Sequence, residues 1–63
     1  MVFSGNLKEG RSYRTRDGKV WRVVDFSSFE GISCAQLKLV GGKEVLHWRP
    51  VSDFLLDVEK QVD

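Results

Sequence analysis

At 63 residues, with 41% hydrophobic, 11% aromatic and 30% charged residues, the chain has the composition of one small globular domain and not of a disordered tail. Its single cysteine, Cys34, excludes an intrachain disulfide, and with His47 as the one histidine it leaves too few ligands for a structural zinc site. Net charge is +1, yet residues 8 to 22 set six cations against two anions while residues 44 to 63 set two against five, so the chain is electrically polarised.

The first ten residues, with Gly5, Asn6 and Gly10 and no periodicity, read as a loose lead-in to a domain over residues 11–60, with Phe3 or Leu7 to tack it down. Ser12 to Thr15 and Val20 to Phe26 are short runs rich in aromatic and β-branched residues. Between them lies Arg16-Asp17-Gly18, a hairpin signal. A two-residue loop would mix core and surface residues on each face. A three-residue loop with Gly18 left-handed pairs Thr15 with Lys19, Tyr13 with Trp21 and Ser12 with Arg22. It collects Tyr13, Trp21 and Val23 on one face and Arg14, Val20 and Arg22 on the other.

Residues 27 to 31 read as a loop, and Ile32 to Leu39 as a third strand in which Ala35, Leu37 and Leu39 alternate with Gln36 and Lys38. A two-residue turn at Gly41-Gly42 pairs Leu37 with Leu46 and Ala35 with Trp48 inside, and Lys38 with Val45 and Gln36 with His47 outside. This register makes Trp48 a core residue beside Trp21. Pro50 has no N–H for a ladder and ends the fourth strand. Val51 to Phe54 suits one helical turn capped by Ser52 or Asp53, and Leu56 to Glu59 returns as a fifth strand. The expected fold is all-β, a small five-stranded SH3-like barrel with one short helical turn before the last strand. The alternative is an antiparallel sheet with a C-terminal helix over residues 52 to 61, since Phe54, Leu55 and Val58 lie at helical spacing.

Tyr13-Arg14, Asp17-Gly18, Trp21 and Val23, and the run from Leu46 to Leu55 with its Trp48-Arg49-Pro50 and Phe54-Leu55, carry a resemblance. Over residues 11 to 59 the chain resembles a family of small bacterial domains of unknown function, with a Y-R-x-Y-K-G-x-x-Y-x-V opening and a W-V-R-P-x-x-x-F-L closing. It departs from that pattern in having Arg16-Asp17 for Tyr-Lys, in placing Trp48 directly before Arg49, and in a shorter middle. The opening hairpin is also similar to those of Tudor-like and translation-factor barrels. The resemblance implies architecture and no substrate.

Catalytic chemistry finds little to build on. Nucleophilic catalysis needs a base beside the nucleophile, and the register places His47 outside and opposite Gln36, away from Cys34. Gly41-Gly42 lacks the helix start of a phosphate-binding loop. The expectation is a non-enzymatic binding module without cofactor, metal or evident small-molecule substrate. With no charged start before an apolar stretch and no run longer than Phe54-Leu55-Leu56, it is also expected to be cytoplasmic and not membrane-bound. Two partner classes compete. A protein partner or self-association would use the loop aromatic Phe29 and the sheet edges. Nucleic acid would use a basic strip of Arg14, Arg16, Lys19 and Arg22, extended by Lys38, His47 and Arg49. Near-neutral total charge sets the protein partner first.

Overall fold

The computed structural model describes residues 6–43 and 45–63. Phe3 and Glu44 lie outside the described residues. The elements are β1 (Ser12–Thr15), β2 (Val20–Phe29), β3 (Ile32–Leu39), β4 (Leu46–Pro50), α1 (Val51–Asp57) and β5 (Val58–Gln61). All pairings are antiparallel, in one five-stranded sheet of order β4-β3-β2-β1-β5. Among the described residues no helix is long and apolar enough to cross a membrane.

The first hairpin follows the expected register, with Tyr13 opposite Trp21 and Ser12 opposite Arg22. Gly18 at φ 87° lets the three-residue loop turn back, and the Thr15 N–H meets the Lys19 carbonyl at 2.8 Å. Tyr13 and Val23 are fully buried, while Arg14 and Arg22 point to solvent. Leu7 packs against the core from the lead-in, as does the half-buried Trp21.

Residues 27 to 29 are strand and not loop. Glu30 at φ 51° and Gly31 at φ 79° make both turn residues left-handed, the two-residue turn whose twist matches a hairpin, so pairing runs to Phe29 opposite Ile32. Within β2 the register slips by one between Val23 and Asp25, and Val24 is the extra residue. That bulge exchanges the faces of everything after it: Phe26 lies opposite Ala35 on the inner side, and Asp25 and Phe29 turn outward.

The second expected register is overturned. Gly41-Gly42 does not close a two-residue turn. Residues 40–45 form a longer connection, in which the Val40 N–H is drawn to the Val20 carbonyl on the β2 side at 2.9 Å. The pairs become Ala35 with Arg49, Gln36 with Trp48, Leu37 with His47 and Lys38 with Leu46. One residue of slip sends Trp48 and Leu46 to the outer face and brings His47 and Arg49 to the inner one. The core then consists of Tyr13, Val23, Ala35, Leu37, Phe54 and Val58, with Phe54 of α1 as a buried ring and Trp48 outside it.

Helix α1 begins at Val51, where the expected turn begins, and runs on to Asp57. Pro50, with φ −55°, takes the cap position and no side chain caps the first N–H groups, so neither Ser52 nor Asp53 is the cap. Asp53 lies in the first turn, where the helix dipole favours an anion. The helix stops after seven residues because Val58 turns extended, and the alternative C-terminal helix over 52 to 61 is thereby excluded. The fifth strand starts at Val58, two residues later than expected, and pairs with β1.

Candidate binding face

Side-chain alternation divides the sheet into two sides with different chemistry. The inner side holds the core and, at its rim, a cleft of about 240 Å³ lined by Thr15, Arg16, Asp17, Trp21, Arg49 and Asp57. Two of its ionic groups, Arg49 and Asp57, are paired with each other. Arg49 Nη2 donates to Asp57 Oδ2 at 2.9 Å and its guanidinium lies over the Phe54 ring at 5.7 Å. The Arg16 N–H donates to the Asp57 carbonyl at 3.0 Å. The Asp17 carboxylate accepts from the Thr15 hydroxyl and from the Lys19 N–H, and those two bonds, the hydroxyl first, hold its pKa below the usual 3.8. His47 stands edge-on to Trp21, ring centres 5.8 Å apart.

The outer side is a different surface. Lys60 on β5 lies opposite Arg14 on β1; Arg22 on β2 lies opposite Lys38 on β3; Lys38 lies opposite Leu46 on β4. Four cations from four adjacent strands thus share this face in two neighbouring cross-strand rows, Lys60 with Arg14 and Arg22 with Lys38, since Arg14 lies opposite Val20 and Arg22 opposite Ser12. Among the described residues no carboxylate forms an ion pair with Arg14, Arg22 or Lys60. Next to Leu46 along β4 stands Trp48, 41% exposed, and its ring meets that of Phe29, 48% exposed, at 5.3 Å and 78°. Ile32, opposite Phe29, is exposed beside them. Asp25 shares a cross-strand row with Gln36 and Trp48, so a carboxylate sits at the aromatic end of the face.

Cys34 faces this outer side between Ser27 and Pro50, yet it is only 8% exposed. Its row lies between the row of Phe29 and the row of Trp48, and the two rings meet across it. That placement accounts for the burial. The lone thiol and His47 are on opposite faces of the sheet.

Of the residues singled out in the sequence, Arg14, Arg22 and Phe29 therefore share one face. Arg16 lines the cleft beyond the hairpin turn, and His47 and Arg49 lie on the inner side, so the single strip that joined all of these does not form. His47 is opposite Leu37 and not Gln36, because of the same one-residue slip. Trp48, Leu46 and Lys60 are the members that sequence reasoning missed. The first two follow from a register that the sequence does not choose, and Lys60 shares the face of Arg14 only because the β1–β5 pairing shifts between Arg14 and Thr15; plain alternation from the buried Val58 would set it inside.

Comparison of the chain with protein-family models, with curated proteins and with solved structures finds no match in any of the three.

Proposed function

We propose that the chain is a small SH3-like barrel acting as a non-enzymatic binding module, and that its outer face takes a segment of a protein partner. The architectural part is supported by the strand order, by the single short helix between the two flanking strands, and by the bulge that bends the long second strand. It agrees with the resemblance of residues 11 to 59 to small bacterial domains of unknown function.

The observation that carries the binding reading is the Phe29–Trp48 pair. Two large rings left in water, packed edge to face on each other with Leu46 and Ile32 beside them, make the kind of contiguous apolar patch that folded monomers seldom expose without use. Aromatic anchors of this type dominate protein interfaces. Separation of the only thiol from the only imidazole by the thickness of the sheet speaks against a cysteine–histidine nucleophile.

A second reading, nucleic acid, is favoured by the shared face of Arg14, Arg22, Lys38 and Lys60, since phosphate contacts come from such basic surfaces. Affinity capture from the source cell, with the natural chain, Trp48→Ala and Arg14→Ala/Arg22→Ala as baits and with nuclease in one arm, separates the two. The protein reading requires a partner that survives nuclease and is lost with Trp48→Ala. Loss on nuclease treatment together with the arginine variant gives the nucleic-acid reading instead. Sedimentation of the free chain detects self-association through the same patch.

A further inference from the structure

We infer that the segment taken by the outer face is bipartite: an extended stretch with an aromatic or aliphatic residue at one end and two or more carboxylates at the other. This rests on the protein-binding reading and adds the chemistry of the partner. The face itself is bipartite. One corner, at the β2–β3 turn and β4, presents Trp48, Phe29, Ile32 and Leu46, and the corner diagonally across, toward β5, presents Arg22, Arg14 and Lys60 with no described carboxylate paired to them. Between the two corners Lys38 lies in one row with Arg22 and Leu46.

Size sets the length of the occupant. From β4 to β5 are four inter-strand steps, about 19 Å at a spacing of about 4.8 Å, and an extended peptide covers that in roughly six residues. The apolar residue would seat against the Phe29–Trp48 rings, and carboxylates four to six residues away would meet the guanidinium groups of Arg22 and Arg14. Guanidinium and carboxylate match in planar geometry as well as in charge.

Asp25 decides between this occupant and a nucleic-acid strand. It lies in the row of Trp48, at the aromatic end. A nucleic-acid strand carries a phosphate on every residue, so stacking a base on Trp48 brings a phosphate toward Asp25. A bipartite peptide is neutral where Asp25 is and acidic only where the arginines are.

Selection of a phage-displayed random dodecapeptide library on the full chain tests the inference, followed by fluorescence anisotropy of the selected peptides and of single-stranded dT12 and U12. Selected peptides should share an apolar residue followed by clustered Asp or Glu. Replacing those acids with Gln should weaken binding at least tenfold at low salt, and the gap should narrow in high salt. Arg14→Glu/Arg22→Glu, or Arg14→Gln/Arg22→Gln should the first fail to fold, should remove the preference for acids while Trp48→Ala lowers the affinity of acidic and neutral peptides alike. Peptides that need Trp48 but show no acidic preference overturn the inference and leave the binding reading standing. If no selected peptide depends on Trp48 or Phe29, or if the oligonucleotides bind at physiological salt through Arg14, Arg22 and Trp48, both fall.

Discussion

Arg49 lies 5.7 Å over the centre of the Phe54 ring while its Nη2 holds Asp57 at 2.9 Å, so one side chain ties the fourth strand to the middle and the last residue of the helix that follows it. The ion pair is half-exposed and contributes little by itself, about 0–1 kcal/mol. Its stacking partner is different, because Phe54 is fully buried and is the helix residue that enters the core. Phe54→Ala is expected to cost about 3–5 kcal/mol, close to the whole stability of a domain this small, and to abolish the cooperative melt. Trp48→Ala should leave a folded, cooperatively melting domain with a loss below about 1.5 kcal/mol, since it vacates surface and not core. Thermal denaturation of the two variants checks this, and an unfolded Trp48→Ala chain would contradict the outward register.

The first hairpin was legible in the sequence because a wrong register there mixes faces visibly, with an arginine opposite a tryptophan. The second was not. There both registers place one aromatic ring on each side, Trp48 or His47, and alternation alone cannot choose. What accompanies the observed register is the buried ring of Phe54, supplied to the core by the helix six residues after Trp48, together with the Val40 bond to β2. The bulge at Val24 was equally silent, since an extra residue leaves no mark in a run of apolar and polar residues; without it Phe29 would face inward. The basic half of the candidate face followed from alternation on the first hairpin, whereas its aromatic half needed the bulge and the slip together.

Glu30 occupies a left-handed position, φ 51°, that costs an ordinary residue about 1 kcal/mol or more. Glu30→Asn creates the Asn-Gly pair this turn geometry favours. It should raise stability by roughly 0.5–1 kcal/mol. The measurement is a denaturant melt with unchanged slope and a higher midpoint. A lower midpoint would mean that the β2–β3 turn is not of this type.

The Asp17 carboxylate has its pKa lowered from 3.8 chiefly by the Thr15 hydroxyl and next by the Lys19 N–H. A group whose folded pKa lies below its unfolded value contributes stability above the unfolded value and loses it as pH falls through the folded one. The acid limb associated with Asp17 should therefore lie below pH 3.8. In Thr15→Val the Asp17 titration followed by NMR should move up toward 3.8, while Thr15→Ser keeps it low. An identical midpoint in the valine and serine variants would show that the hydroxyl is not the cause.

Cys34 reports on the aromatic pair directly. The thiol is on the face turned to solvent, 8% exposed, in the row between those of two rings that meet at 5.3 Å, and its Sγ lies 3.7 Å from the Ile32 carbonyl. Thiol reagents react only with what they can reach, so the folded chain should label slowly with an aromatic disulfide. Removing either ring opens the row. Phe29→Ala or Trp48→Ala should speed labelling by tenfold or more without unfolding, and Tyr13→Phe, which alters only a buried hydroxyl on the inner side, should not. A ligand seated on the rings should slow labelling of the natural chain and have no such effect on the alanine variants. Equal rates in the natural chain and Trp48→Ala would mean that the thiol is shielded by something other than the rings, and the description of the outer face would have to change.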